Sequence, residues 1–403
     1  MKIQNSGLNT LLFILVVSIF ITASNFRTEK LTNNESNSSL TGVNVLNSLL
    51  SVQGATKPYD KSKLITECII DEKVYSYPTD SAMDPRPGDC WPSTWADDDY
   101  LYTYFNDGPG FAGSKADEWS MHPARISGTP TSIVGTNTAT NSVGKSGGGG
   151  KTGTKVSGLI AIPYPDRSSE TMLVAWVRNA NLNGGSYIIY STDNGSNWKY
   201  PNGNSPEIIP ELGHPSWMQA GKQNRSAKDK YLYFYTQNKP TAYLLADDVI
   251  LGRVLARNVL DMSKYEYFSG TSGSPSWTTN IAERKSAFIA KGQCYRVYVT
   301  YNPVLKRYFL ITSTGGTEYD GEIRMAGKLH NLGIYESANP WGPWYTVYWN
   351  DYFSPWGTFC PQMLPKWISS DGKTFWLLYS CWPNGPYKFN LQKVSMTLSG
   401  RTR

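Results

Sequence analysis

Short stretches of hydrophobic residues recur along most of the chain between polar residues, and no stretch keeps a long helical period. The stretches are rich in β-branched and aromatic side chains and are bounded by Gly, Pro, Asn or Asp, as expected for β-strands. The pattern therefore predicts an all-β fold. Strands are predicted at residues 100–105, 156–162, 172–177, 187–191, 231–236, 295–301, 307–312 and 375–379.

The predicted strands occur in pairs that are joined by turn residues. Asn302-Pro303 separates one pair, and Asp371-Gly372, a strong hairpin signal, separates another. Groups of this kind are centred near residues 95, 165, 230, 300 and 370, at intervals of roughly 65–70 residues, which suits propeller blades with long loops. The repeat predicts a single five-bladed β-propeller.

The first group contains GDCWPSTWADDDYLYTY, residues 88–104. We interpret it as the innermost strand of the first blade and its hairpin partner. The run Asp97–Asp99 lies between two strand-like stretches, so its members are predicted to be turn residues. This arrangement would bring Asp89 and Trp91 close to the propeller axis.

The N-terminal residues differ from the rest of the chain. Residues 1–24 contain Lys2 followed by an apolar run over 8–23, a layout typical of a secretory signal peptide. A retained signal anchor is the alternative, because flanking residues can adapt a short run to a bilayer. Residues 25–63 are polar and are predicted to be a disordered tether, and the propeller is expected over 64–400.

Composition and charge indicate which classes of molecule this protein binds. Charged residues form 17% of the chain and aromatic residues 13%, and the net charge of +6 is spread along the sequence without basic blocks. Nucleic acid is therefore a poor partner hypothesis. We expect a secreted or extracellular monomer that binds a polysaccharide or surface glycan, with membrane attachment only if residues 8–23 are retained.

The cysteines lie far apart, without Cys-x-x-Cys spacing and with few histidines nearby. This pattern argues against a zinc site and favours one or two disulfide bonds in an oxidising compartment. The sequence leaves their pairing open. The five cysteines are Cys68, Cys90, Cys294, Cys360 and Cys381.

The stretch STDNGSNW, residues 191–198, has the Ser-x-Asp-x-Gly-x-x-Trp pattern of the Asp-box found in sialidase-like propellers. In such a box the Ser and Asp side chains stabilise a hairpin turn and the Trp packs between strands, so its role is structural. SSDGKTFW, residues 369–376, is similar but one residue shorter.

Several sequence blocks follow one another along the chain: Gly88-Asp89, WPSTWADDDYLYTYFNDGPGF, KVSGL, WVRNA, the Asp-box, CYRVYVTYNP, KRYFL, GIYESANPWGPW and SSDGKT. In this order, and from near Pro78 to near the C-terminus, the chain resembles the secreted propeller family catalogued as domain of unknown function 4185 (DUF4185). The resemblance implies a five-bladed propeller related in architecture to propeller furanosidases, and some members of the family hydrolyse arabinofuranan internally.

Glycoside hydrolysis needs a carboxylic acid and a second carboxylate that acts as base or nucleophile. Asp89 resembles the carboxylate that opens the first blade in propeller glycosidases, and it is our candidate base. The alternative is a structural role in which Asp89 accepts hydrogen bonds from backbone N–H groups. Asp107 is the acid candidate that we favour; the others are Glu283, Glu322 and Glu336.

Cationic and amide side chains are more evident than carboxylates on the other predicted inner strands. Lys155, Arg178, Asn179 and Arg296 are candidate substrate-binding residues. Such a set also suits a polysaccharide lyase, in which a cation neutralises a uronate while Tyr or His removes a proton; His122 and Tyr187 are candidates for that base. Trp91 is the first candidate for stacking on a sugar ring.

These observations favour a secreted glycoside hydrolase that acts on a polysaccharide through carboxylate acid/base chemistry. A non-catalytic glycan-binding or cell-surface propeller is the second hypothesis, and a polysaccharide lyase is the third. The sequence contains no recognisable cofactor or calcium-binding motif, so we expect neither a redox cofactor nor a metal.

Overall fold

The chain divides into two compact units, Met1–Gln53 and Gly54–Arg403. The computed structural model describes residues 56–79, 86–111, 118–148, 150, 152–165, 167–181, 184–314, 331–351, 353, 358–381 and 385–400, all within the second unit. The predicted signal segment lies outside the described residues. In the part of the chain that is described, no helix has the length and hydropathy of a membrane span.

The described residues form β-strands joined by turns and by single turns of 3₁₀ helix, and none of them lies in an α-helix. The all-β prediction is confirmed. The strands are β1 (Ile65–Tyr77), β2 (Ser93–Trp95), β3 (Leu101–Gly108), β4 (Trp119–Thr129), β5 (Ser132–Asn137), β6 (Lys155–Tyr164), β7 (Arg167–Asn181), β8 (Gly184–Ser191), β9 (Ser216–Trp217), β10 (Tyr231–Gln237), β11 (Ala246–Leu255), β12 (Glu266–Phe268), β13 (Trp277–Thr278), β14 (Ser286–Asn302), β15 (Arg307–Ser313), β16 (Leu332–Ser337), β17 (Tyr345–Asn350), β18 (Phe359–Met363), β19 (Thr374–Ser380) and β20 (Phe389–Leu398). The 3₁₀ helices are Lys222–Asn224, Ala256–Asn258, Met262–Lys264, Ile281–Glu283 and Pro365–Trp367.

All pairings between these strands are antiparallel, and sequence neighbours generally pair with each other. One sheet has the order β2-β3-β4-β5, a second has β6-β7-β8, and a third has β1-β20-β19-β18. The largest sheet contains β9 to β17, in which the groups β9–β13 and β14–β17 are joined through the β11–β14 pair.

The inner and central strands of the sheets are buried on both faces, as β7 illustrates, whereas the outer strands β1 and β5 are mostly exposed or half-buried. Val174 and Trp176 point into one hydrophobic cluster, which includes Trp217 and Phe234. Their neighbours, including Ala175, point into another cluster on the opposite face of the sheet. Because successive side chains of a strand alternate between faces, a strand covered on both sides is apolar throughout.

The first strands of successive groups contact each other through side-chain hydrogen bonds, and these contacts form a closed ring. The ring joins β2 to β6, β6 to β9, β9 to β14, β14 to β18 and β18 back to β2. The hydrogen bonds run from Ala161 N to Thr94 Oγ1 (2.9 Å), from Nε2 of Gln219, two residues after β9, to Leu159 O (2.8 Å), from Ser216 Oγ to Val297 O (2.5 Å), from Thr300 Oγ1 to Met363 O (2.7 Å) and from Ser93 N to Gln362 Oε1 (3.1 Å).

The two ends of the domain meet in the sheet of β18–β20, where β1 pairs with β20. Residues just before β1 also contact the domain. The Tyr59 hydroxyl accepts a hydrogen bond from Ile289 N (2.8 Å), and Ser62 Oγ donates one to Glu336 Oε1 (2.8 Å). Packing of the domain therefore includes residues that the sequence analysis assigned to the tether.

The predicted turns are also present. Ser191 Oγ donates to Asp193 Oδ1 (2.8 Å), Asp193 accepts from Asn197 N (2.8 Å), and Trp198 is buried against Tyr104 with ring centroids 5.4 Å apart. This geometry confirms the Asp-box. The turn at Asp371 repeats it in part, because Ser369 Oγ donates to Asp371 Oδ1 (2.6 Å).

Candidate functional site

Side chains of opposite charge meet at one end of the inner strands. The residues that we call the charged cluster are Asp89, Asp107, Lys155, Arg178, Asn179, Tyr243 and Arg296. Three of its members, Asp107, Asn179 and Arg296, have positive φ values of 52°, 62° and 50°. Backbone in the left-handed region is unfavourable for residues other than Gly and is concentrated at functional sites.

Asp89 lies just before β2 and is held by a backbone bridge to Asn106, with Asp89 N donating to Asn106 O (2.8 Å). Its side chain is buried, and Oδ1 has no hydrogen-bond partner among the described residues. The bridge therefore fixes the backbone of Asp89 and leaves a carboxylate oxygen available. This arrangement differs from the structural role considered above, in which the Asp89 side chain would accept hydrogen bonds from backbone N–H groups.

The surroundings of Asp89 favour its protonated form. Burial raises the pKa of the carboxyl group, and the charge of Asp107 raises it further. Arg296, Lys155 and Arg178 act in the opposite direction without cancelling the shift. A buried carboxylic acid that retains its proton is suited to donate that proton to a substrate.

Asp107 is one residue beyond the partner of Asp89 in the backbone bridge, on β3. Lys155 Nζ forms an ion pair with Asp107 Oδ1 (2.5 Å) and also donates to Ser120 Oγ (3.0 Å). The Lys155 side chain is 2% exposed, whereas that of Asp107 is 20% exposed. Asp107 is thus a charge-compensated carboxylate with partial access to solvent.

Arg178, Asn179 and Tyr243 form a hydrogen-bonded group beside these carboxylates. The Tyr243 oxygen accepts from Arg178 Nη1 (3.1 Å) and from Asn179 Nδ2 (2.9 Å), and the hydroxyl donates to Gly150 O (3.0 Å). Burial opposes ionisation of Tyr243, but the charges of Arg178, Lys155 and Arg296 outweigh it and lower the pKa of the phenol.

Arg296 connects the charged cluster to a disulfide bond. Cys90, just before β2, is covalently linked to Cys360 of β18, 270 residues away in sequence. Arg296 Nη1 donates to Cys90 Sγ (3.2 Å). The predicted disulfide chemistry is confirmed, and the structure supplies the pairing. Of the remaining cysteines, Cys294 and Cys381 are buried and Cys68 is half-buried.

The structure brings together the predicted residues Asp89, Asp107, Lys155, Arg178, Asn179 and Arg296. The predicted stacking role of Trp91 is wrong. Trp91 is buried in a hydrophobic cluster, its ring contacts Phe105, Phe111 and Phe389, and its indole N–H donates to Gly88 O (3.2 Å). Residues two apart share a face only in an extended chain, and Cys90 between Asp89 and Trp91 has left-handed backbone (φ 41°), which explains the error.

The other acidic candidates serve local structure. Glu336 is buried and pairs with Arg307 (3.0 Å) and Ser62, outside the charged cluster. Glu283 accepts hydrogen bonds within its own exposed turn, and Glu322 lies outside the described residues. The run Asp97–Asp99 forms the β2–β3 turn, as predicted.

The lyase candidates His122 and Tyr187 are not part of the charged cluster. His122 is buried beside Phe105 and Trp119, and Nδ1 donates to Pro123 O (3.0 Å) in the neutral form. Tyr187 packs with Tyr200 in a hydrophobic cluster. Sequence reasoning missed Tyr243, because it lies in the connection between β10 and β11, with no motif to mark it.

Comparisons with known proteins place the chain in a family. The family described as domain of unknown function (DUF4185) matches residues 172–393. No curated protein matches the chain. Among solved structures, the chain is similar to a GH43_1 enzyme from Xanthomonas citri, with 13% identity, a TM-score of 0.43, and coverage of 81% of this chain and 93% of that chain.

A second similar structure is the catalytic domain of the GH62 α-L-arabinofuranosidase of Coprinopsis cinerea, with 11% identity, a TM-score of 0.42, and coverage of 83% of this chain and 98% of that chain. The family match carries more weight than these distant likenesses, because it rests on the sequence itself and extends over more than half of the chain. The protein therefore belongs to the DUF4185 family.

Proposed function

We propose that this protein is a secreted glycoside hydrolase with a five-bladed β-propeller fold. The groups that begin with β2, β6, β9, β14 and β18 would be the five blades. The closed ring of hydrogen bonds between these inner strands supports the blade count, and the disulfide between Cys90 and Cys360 fastens the first blade to the last.

The observation that carries the enzymatic proposal is the contrast between two neighbouring carboxyl groups. Asp89 is buried, has an oxygen without a hydrogen-bond partner in the described part of the chain, and has a raised pKa. Asp107 is partly exposed and is paired with Lys155. Two carboxyl groups whose environments differ in this way can divide the acid and base roles of glycoside hydrolysis.

These environments favour the reverse of the roles proposed from sequence. Asp89 would be the general acid that protonates the leaving glycosidic oxygen, because burial favours its protonated form. Asp107 would be the base or nucleophile, because it is the more accessible carboxylate and Lys155 compensates its charge. Arg178, Asn179 and Tyr243 would orient the sugar through hydrogen bonds.

Tyr243 favours a second candidate function, a polysaccharide lyase. Its phenol has a lowered pKa and lies beside three cations. In elimination, a cation would neutralise a uronate carboxylate, Tyr243 would remove the α proton, and the glycosidic oxygen would leave with a proton from Asp89. Hydrolysis remains the first proposal because it uses both carboxyl groups.

The test is a screen of the purified protein against neutral and acidic polysaccharides, with new reducing ends and the ultraviolet absorbance of unsaturated uronates measured together. Reducing ends without absorbance, lost in Asp89→Asn and Asp107→Asn and lowered but not abolished in Tyr243→Phe, would support hydrolysis. Absorbance that is lost in Tyr243→Phe would support elimination. Asp60→Asn, which alters an exposed carboxylate near the start of the domain, is the matched control. Glycan binding without either product would contradict both enzymatic proposals.

We also propose that residues 1–24 direct export. The apolar run over 8–23 supports this proposal, and so does the disulfide, since disulfides persist mainly in oxidising compartments. Detection of the mature protein outside the producing cell, with its N-terminus determined by mass spectrometry, would distinguish cleavage from a retained anchor. Retention of the full-length protein in the cytosol would contradict export.

A further inference from the structure

His214 is a buried histidine with an unusual lack of partners. It lies just before β9 and is fully buried, and neither Nδ1 nor Nε2 has a hydrogen-bond partner among the described residues. Buried polar side chains nearly always have such a partner, so an imidazole with both nitrogens unpaired requires an explanation. The Tyr298 ring contacts it edge to face, with centroids 6.0 Å apart, and offers no hydrogen bond to either nitrogen.

The atoms that could share a ligand with His214 are the two sulfur atoms of the disulfide. Cys90 Sγ, Cys360 Sγ and a ring nitrogen of His214 all lie within 4.8 Å of one another. Two thiolates and an imidazole are a ligand set for thiophilic ions such as Zn²⁺ and Cu⁺, and sites with two Cys and one His are known for zinc. A disulfide cannot supply thiolates, so this set exists only in the reduced protein.

The surrounding charges agree with a dependence on reduction. Arg296 contacts Cys90 Sγ, and the charges of Arg178 and Arg296 act on His214. These cations would repel a metal ion from the disulfide form. In the reduced form, two thiolates offset the charge of the bound ion, and Arg296 is placed to stabilise the Cys90 thiolate.

We propose that Cys90, Cys360 and His214 form a metal site that is alternative to the disulfide. In the oxidised protein the two sulfurs are bonded to each other. A dithiol reductant donates two electrons to this bond and becomes a disulfide itself, and the two resulting thiols release their protons to solvent when they bind the ion through sulfur. The site takes a thiophilic d¹⁰ cation, Zn²⁺ or Cu⁺, and does not depend on the proposed hydrolase activity.

The test compares protein produced in a reducing cytosol, with zinc or copper in the medium, and protein produced in an oxidising compartment. Metal content is measured by mass spectrometry after gel filtration. We expect stoichiometric metal in the reduced protein and none in the oxidised protein, and at least a tenfold loss of affinity in His214→Phe. Cys294→Ser, which removes another buried thiol, is the matched control and should retain the metal.

X-ray absorption of the reduced wild-type protein provides a measurement that does not depend on how the variants fold. Two sulfur ligands and one imidazole around the ion would support the proposal. Comparing the metal content of samples grown with Zn²⁺ and with copper would identify the preferred ion. Reduced wild-type protein without metal would overturn it, as would a ligand shell that lacks an imidazole or metal content that falls in Cys294→Ser as much as in His214→Phe.

Discussion

Asp193 and Asp89 are both aspartates two to four residues from the end of a strand, but their surroundings are opposite. Asp193 is exposed, and its two oxygens accept hydrogen bonds from Ser191 and Asn197. Partial burial opposes its ionisation, yet these hydrogen bonds outweigh burial and lower its pKa. Asp89 is buried, retains an oxygen without a partner in the described region, and has a raised pKa.

This comparison separates a structural carboxylate from a functional candidate. The hydrogen bonds of Asp193 stabilise one turn conformation, and nothing is left for a ligand. The burial of Asp89 costs stability unless the protonated form or a ligand compensates, and such costs are concentrated at functional sites. Both aspartates belong to recognisable sequence motifs, so the motif alone does not distinguish the two roles.

The largest expected effect is on activity. Asp89→Asn should lower the rate of polysaccharide cleavage by about 10²–10⁴-fold, because positioned proton transfer contributes about that much. Asp193→Asn should leave the rate unchanged. Steady-state rates on the substrate identified in the screen, with circular dichroism to verify folding, would measure both. Equal losses in the two variants would contradict the separation of roles.

The next largest effect is expected for the stability of Lys155→Met. This substitution removes the ion-pair partner of Asp107, and leaving a partly buried carboxylate unpaired should lower the free energy of unfolding by about 1–3 kcal/mol. Lys393→Met, on the exposed side of β20, is the matched control and should change stability little. Urea denaturation would measure both variants. An unchanged stability in Lys155→Met would mean that Asp107 finds another partner.

Asp193→Ala should have a smaller effect, confined to stability. Loss of the turn hydrogen bonds from Ser191 and Asn197 should lower the free energy of unfolding by about 0.5–1.5 kcal/mol, since the site is exposed to solvent. Thermal denaturation would measure the change, and kcat should equal that of the wild type. A larger loss, accompanied by loss of activity, would show that this turn supports the charged cluster.

The smallest expected effect is a difference in pH dependence. Because the pKa of Asp89 is higher in the folded than in the unfolded protein, the folded state binds this proton more tightly. The associated stability is fully present below the ordinary carboxyl pKa of 3.8 and is lost as the pH rises through the folded value. Asp89→Asn removes this contribution, so wild-type stability should fall relative to the variant above about pH 4. A constant difference across pH would contradict the raised pKa.

Sequence reasoning predicted local features well. The apolar run of residues 172–177 identified β7, Asp371-Gly372 marked the β18–β19 turn, and the Asp-box geometry at Ser191–Trp198 followed its pattern. It also identified Asp89, Asp107 and most of the charged cluster. It erred for Trp91, which it placed against a sugar, and it overlooked Tyr243.

The sequence by itself determined many of the strands and their turns, because these depend on runs of β-forming side chains and on hydrogen bonds between residues close in the chain. The candidate carboxylates followed from the family resemblance and from the chemistry of glycoside hydrolysis. Only the tertiary structure decided that Cys90 bonds Cys360, that Asp107 pairs with Lys155, and that Tyr243 joins Arg178. These contacts connect different sheets, so they depend on how the sheets pack. The raised pKa of Asp89 also depends on the tertiary structure, because burial and neighbouring charges, rather than residue type, determine it.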